Sequence, residues 1–72
     1  MKLPNIEYDK ETDILTIDLA EPDQIVHTLE FDGATGVVIQ FGDRHTPISI
    51  EIFDASKRYP KSILNRVKAR LR

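Results

Sequence analysis

Residues 48–52, Ile48-Ser49-Ile50-Glu51-Ile52, alternate strictly between β-branched apolar and polar side chains. Successive side chains of a strand point to opposite faces, so this period fits a strand with one buried and one wetted side. A helix would need its apolar positions three or four residues apart. The same alternation runs through Leu15-Thr16-Ile17-Asp18-Leu19. Val37, Ile39 and Phe41 share one face of a further segment, as do Ile25, His27, Leu29 and Phe31. Ile6 and Tyr8 flank Glu7 in a short first segment. The connectors are residues 9–13, 20–23, 32–36 and 42–47. The third holds Asp32-Gly33, a hairpin signal, and Gly36 for a positive φ. Each is too short for a crossover helix, which predicts an antiparallel β-meander of four to five strands over about residues 5–53.

The tail changes period. Ile63, Leu64, Val67 and Leu71 fall on one arc at 3.6 residues per turn, and Pro60 suits a first helical turn. The spacing predicts a C-terminal helix over about 60–71, with a shorter turn starting at Asp54 or Ser56, either able to cap backbone N–H groups. The expectation is one α+β domain, residues 1–72, with a β core over 5–58 and a basic helix over 59–72.

At 72 residues without cysteine, the chain has no disulfide or thiolate-metal support. One helix about 10 Å across cannot cover the apolar face of a five-stranded sheet. The remainder is expected to meet a second copy, making a homodimer, or a different chain. Apolar runs of four or five residues are too short to span a bilayer. Met1-Lys2-Leu3-Pro4 lacks the apolar stretch of a signal peptide, so the expected address is cytoplasmic.

Charge is segregated. All 12 carboxylates lie in residues 1–56, and residues 57–72 hold seven basic residues and no acid. Strand parity sets Glu7, Asp18, Glu30 and Glu51 opposite the apolar positions, which predicts an acidic sheet face: a solvated surface, a docking surface for a basic protein, or paired catalytic carboxylates. The basic surface is expected at Lys61, Arg66, Lys68, Arg70 and Arg72. Surface solvation or a dimer contact, a phosphate backbone and a membrane surface are its three readings. The last lacks interfacial aromatic residues. No helix-turn-helix or aromatic stacking motif accompanies these residues.

Catalytic equipment is thin. Ser49, Ser56 and Ser62 lie in no Gly-x-Ser-x-Gly elbow. His27 is expected on the buried face as a core or interface histidine. A metal or catalytic role, or a register in which Val26 faces inward, are its alternatives. His45 reads as a solvated turn histidine. The two histidines form no His-x-His or His-Glu-x-x-His motif. Asp9, Glu11 and Asp13 alternate in a turn but lack the glycine and closing glutamate of a calcium loop. No catalytic, cofactor or metal residue is assigned.

The segment Tyr8-Asp9-Lys10-Glu11-Thr12-Asp13-Ile14-Leu15-Thr16-Ile17 resembles the opening of a family of small bacterial proteins catalogued as domain of unknown function 2283. Ile48-Ser49-Ile50-Glu51-Ile52-Phe53-Asp54-Ala55-Ser56-Lys57-Arg58 is similar to its closing segment. Gly33, Gly36 and Val37-Val38-Ile39 resemble its glycine-rich hairpin and valine-rich strand. Ser49 stands where the family often has glycine, and Phe53 where it has leucine. The tail from Pro60 lies outside the common pattern. The resemblance implies a small α+β domain with a curved antiparallel sheet, no assigned activity, and an association with small toxin-like neighbours that suggests an antitoxin. From the residues themselves, Asp54 is expected to cap the turn at 55–57, and Asp9 and Asp13 to satisfy the first hairpin. The resulting expectation is a non-enzymatic interaction module that docks a basic protein and self-associates. Nucleic-acid binding through the basic helix, and a small metal-dependent enzyme using His27 with carboxylates, are the alternatives.

Overall fold

The computed structural model describes residues 3–21, 27–30 and 36–69. The alternating segments form strands β1 (Asn5–Asp9), β2 (Ile14–Asp18), β3 (His27–Glu30), β4 (Val37–Phe41) and β5 (Pro47–Phe53). Two one-turn helices follow, α1 (Ala55–Arg58) and α2 (Lys61–Leu64), and then a two-residue strand β6 (Lys68–Ala69). The fold is α+β, as expected.

The sheet order is β3-β4-β5-β2-β1-β6, which corrects the simple meander. β1 and β2 form one hairpin unit, and β3, β4 and β5 form a meander. The two units join by antiparallel pairing of β2 with β5, across most of the chain. The reason is burial: β2 and β5 carry the two cleanest alternations, and side by side they occupy the sheet centre, where both edges are hydrogen-bonded. The sheet is also mixed, because β6 pairs parallel to β1, Glu7 opposite Lys68 and Tyr8 opposite Ala69.

The predicted helix over 60–71 is likewise corrected. Proline disfavours the α region in the residue before it, and Tyr59 is extended at φ −126° and ψ 142°, which ends α1. Pro60 takes the N-cap of α2 instead of its first turn. After Leu64 the chain turns, with Arg66 N–H donating to Ile63 O and Val67 N–H to Leu64 O. It then adds to the free edge of β1. Residues 66–72 read Arg-Val-Lys-Ala-Arg-Leu-Arg, an alternation of period two as good as any helical arc. An unpaired strand edge decides between them, because it supplies backbone partners along the strand.

Register defines the two faces. Tyr8, Leu15, Ile52 and Val37 form one cross-strand row. Ala55, Tyr59, Leu64 and Val67 cover its β1–β2–β5 end, and Leu15, Ala55 and Leu64 are the buried centre of this cluster. The next row on that face is Ile6, Ile17, Ile50 and Ile39 in register. Ile6 is 44% exposed and Leu19, on the same face, 45%. Among the described residues no large side chain is fully buried, so the core is thin.

Gly36 opens β4 at φ +59° and its carbonyl accepts from Phe53 N–H at 2.8 Å. Arg58 lies over it, its Nε donating to Phe53 O at 3.1 Å, and a Cβ on Gly36 would meet Arg58 Nη2 at 2.5 Å. The guanidinium can swing aside, so the backbone conformation carries most of the cost. Gly36→Ala is expected to lower stability by roughly 1–2 kcal/mol, and Gly36→Asn by less, because asparagine tolerates the left-handed region. Urea unfolding midpoints of the two variants check this.

Candidate functional site

Asp13 sits at the end of the β1–β2 turn in the left-handed region, at φ 58°. Its carboxylate gathers three donors. Tyr8 Oη donates to Oδ1 at 2.5 Å, Ser56 N–H to Oδ1 at 3.0 Å, and Ser56 Oγ to Oδ2 at 2.7 Å. Its backbone carbonyl accepts from Ala55 N–H at 3.1 Å. The first two N–H groups of α1 are thus satisfied by one residue 43 positions away from Ser56. This corrects the cap expected from Asp54, which takes the N-cap position at φ 54° without a side-chain hydrogen bond. Asp9 does serve the hairpin, its Oδ1 accepting from Glu11 N–H at 3.0 Å.

These bonds shift two pKa values in opposite directions. The Tyr8 hydroxyl, then Ser56, hold Asp13 below the usual carboxylate range, with Lys57 adding to the effect. The bond to Asp13, partial burial and the charges of Asp13 and Asp9 push Tyr8 up. The bonds from Tyr8 and Ser56 favour the anionic form of Asp13, so the contact acts as a link between the two segments.

Beside this latch lies a pocket of about 400 Å³ lined by Tyr8, Lys10, Ser56, Lys61, Leu64 and Asn65. Both hydroxyls donate to Asp13, which leaves their lone pairs as acceptors, while the two ammonium groups supply positive charge. The parity pattern pointed to none of this arrangement. The signal was the run Tyr8–Asp13 with Asp54–Arg58, which read as turn chemistry within each segment rather than as a contact between them.

Register and alternation put Glu7, Asp18 and Glu51 on one face; the side chain of Glu30 lies outside what the structure describes. Glu7, Thr16, Glu51, Val38 and Glu30 are successive partners across β1, β2, β5, β4 and β3. Asp18 lies one row away, between Asn5 and Ser49. The acids of the row occupy alternate strands, about 10 Å apart, so no two meet directly. Alternation puts this row on the side opposite Leu15 and the helices. Glu7, Asp18 and Glu51 are half-buried, and Glu7 Oε1 accepts from Asn5 Nδ2 at 2.8 Å.

The expected basic surface is divided. Lys61 lines the pocket, Arg66 is exposed in the turn after α2, and Lys68 stands on the edge strand opposite Glu7. Arg70 and Arg72 lie outside the described residues. His27 is exposed, which corrects its predicted burial: β3 is an edge strand, and α1 and α2 cover the sheet at the β1–β2–β5 end. Its ring stacks on Phe41 with centroids 5.1 Å apart, and the His45 ring stands edge-on to it at 5.6 Å. Among the described residues no three His, Asp or Glu side chains cluster as metal ligands, and no helix is long and apolar enough to cross a membrane.

Residues 5–56 match a family described as protein of unknown function (DUF2283). No curated protein and no solved structure matches the chain. The matched span holds Tyr8, Asp13 and Ser56, and so all of the latch.

The latch has a pH signature. A depressed folded-state pKa contributes stability that is present above the unfolded value, about 3.9 for aspartate, and is lost as pH falls through the lower folded value. A raised one contributes stability that is present below the unfolded value, about 10 for tyrosine, and is lost as pH rises through the folded value. Asp13→Asn is therefore expected to lower the urea midpoint at neutral pH and flatten its decline below about pH 4. Tyr8→Phe is expected to flatten the decline above about pH 10. Urea titrations across both pH ranges check the two signs.

Proposed function

We propose, from the premise that the chain belongs to the DUF2283 family, that it is a non-enzymatic interaction module in the manner of an antitoxin, docking a basic protein through its acidic sheet face. The observation that carries the reading is the row through Glu7, Glu51 and Glu30, with Asp18 beside it, on the face opposite the two helices. Carboxylates spaced on alternate strands avoid mutual repulsion and present a periodic negative field to a cationic partner. Val38 stands between Glu51 and Glu30 in the register and is partly exposed. Such a field accelerates encounter and weakens with salt. The alternative, nucleic-acid binding through the clustered basic residues of the tail, involves Arg66 and Lys68 in the turn and edge strand after α2, with Arg70 and Arg72 outside the described residues.

The same reading includes a homodimer. On the face of the row Ile6, Ile17, Ile50 and Ile39, Ile6 and Leu19 are exposed and the other three isoleucines only partly buried, and a thin core gains from a second copy laid over them. A row of similar β-branched side chains is complementary to itself across a two-fold axis. A cytoplasmic address is part of this proposal.

Two measurements test the two surfaces. The variant with Glu7→Gln, Asp18→Asn, Glu30→Gln and Glu51→Gln is expected to lose a stoichiometric small basic protein that the unmodified chain retains from nuclease-treated lysate at low salt. Equal retention by both proteins overturns the acidic face as the docking surface. In sedimentation equilibrium the unmodified chain is expected to reach dimer mass with rising concentration, and Leu19→Glu to remain a monomer. A concentration-independent monomer mass for the unmodified chain overturns self-association.

A further inference from the structure

The chain contains two histidines, 18 residues apart in sequence, and the fold brings their rings to 5.6 Å between centroids. We infer that His27 and His45 form a two-imidazole chelate for a borderline divalent transition ion such as Zn2+. The geometry and the chemistry of the pair carry the inference.

Imidazole nitrogen binds Zn2+ at about 2.0–2.1 Å, so two rings sharing one ion have centroids roughly 4.5–6.5 Å apart, from a right-angled to a linear arrangement. The observed separation lies inside that range. The rings cross at 75°, and both residues are exposed. The χ2 torsion of histidine is broad, which lets a ring turn to present a nitrogen to an ion between the two.

The surroundings hold the pair in place. Phe41 lies flat beneath His27, at 14° between planes, and limits its ring to one side of β3. His45 ends a single 3-10 turn, Asp43–His45, that begins where β4 stops. Gly42 N–H donates to Thr46 O at 2.8 Å and Thr46 N–H to Asp43 O at 3.1 Å, which closes the loop. Arg44 and His45 both adopt positive φ, 59° and 58°, a conformation that residues other than glycine rarely take. Two consecutive residues of this kind bring the chain back over β3 and set His45 beside His27. Backbone of this type tends to persist where the arrangement it produces is used. The Arg44 guanidinium is turned toward Asp43, with Nε 3.7 Å from Oδ2, so its charge is partly balanced locally.

Neutral imidazole suits Zn2+, Cu2+ and Ni2+, whereas Mg2+ and Ca2+ prefer oxygen ligands. Two protein ligands leave the remaining positions of a tetrahedral ion to water or to an incoming group. The inference is independent of the docking reading, since neither histidine belongs to the acidic row or to the row of isoleucines.

The test uses the full chain without an affinity tag. Zn2+ is titrated by calorimetry, and the imidazole resonances of both histidines are followed by NMR. One Zn2+ per chain is expected, with both sets of resonances moving together and Mg2+ producing neither effect. His27→Gln and His45→Gln are each expected to weaken Zn2+ binding about tenfold or more, since even outer-shell changes at metal sites cost 10–100-fold. Both side chains are exposed, and unchanged backbone amide spectra of the variants will register an intact fold. Absence of saturable binding at millimolar Zn2+, two independent ions per chain, or undiminished affinity in either variant overturns the proposal.

Discussion

The Asp13 carboxylate joins the β1–β2 turn to the start of α1, and the rest of the molecule is arranged around that junction. It accepts from Tyr8 within its own hairpin and twice from Ser56, while its carbonyl accepts from Ala55. A four-residue helix has too few internal bonds to form alone, since its first turn fixes several dihedrals for one hydrogen bond. Here Tyr59 N–H to Ala55 O is its one bond of helical spacing, and Asp13 supplies the partners that its N-terminus lacks. Once α1 is held, Ala55 is buried completely and the chain is aimed back across the sheet. Tyr59, Leu64 and Val67 then settle on Tyr8, Leu15 and Ile52.

That arrangement also explains why the molecule has a well-covered end and an open one. The helical layer is two single turns long, and it protects the row through Leu15. The neighbouring row of isoleucines is only partly buried, and Ile6 and Leu19 on that face are exposed. Apolar area left in water contributes nothing to folding, so a domain of this size forgoes stability there unless another surface covers it. The opposite face has a different logic. Its acids stand on alternate strands, which separates like charges while keeping them coplanar. The pocket beside the latch and the histidine pair lie elsewhere: the first needs the pairing of β2 with β5, the second the pairing of β3 with β4.

Much of this was legible in the residue pattern. The five strands fall where alternation puts them, and Glu7, Asp18 and Glu51 share one face. The motif segments were recognisable as turn-forming. Three things were not legible. Short connectors suggested that each strand pairs with its sequence neighbour, but β2 pairs with β5, because strand order depends on which faces bury most area together. The tail satisfied two periods at once, and the choice between helix and strand fell to a vacant edge on β1. Asp13 and Ser56 each looked like a local cap, and their contact is a property of two segments that folding brings together.

The sequence by itself determined where five of the strands lie, how apolar and polar residues alternate along them, and that Glu7, Asp18 and Glu51 share one side. These are local matters, decided by side-chain alternation and by glycine and proline at the turns. Tertiary structure alone decided the strand order, the addition of β6, the cap on α1 supplied by Asp13, and the meeting of His27 with His45. Each of these depends on distances between residues far apart in the chain, and a period or a motif carries no information about such distances. They are settled by which pairing buries the most apolar surface while leaving every backbone donor and acceptor with a partner.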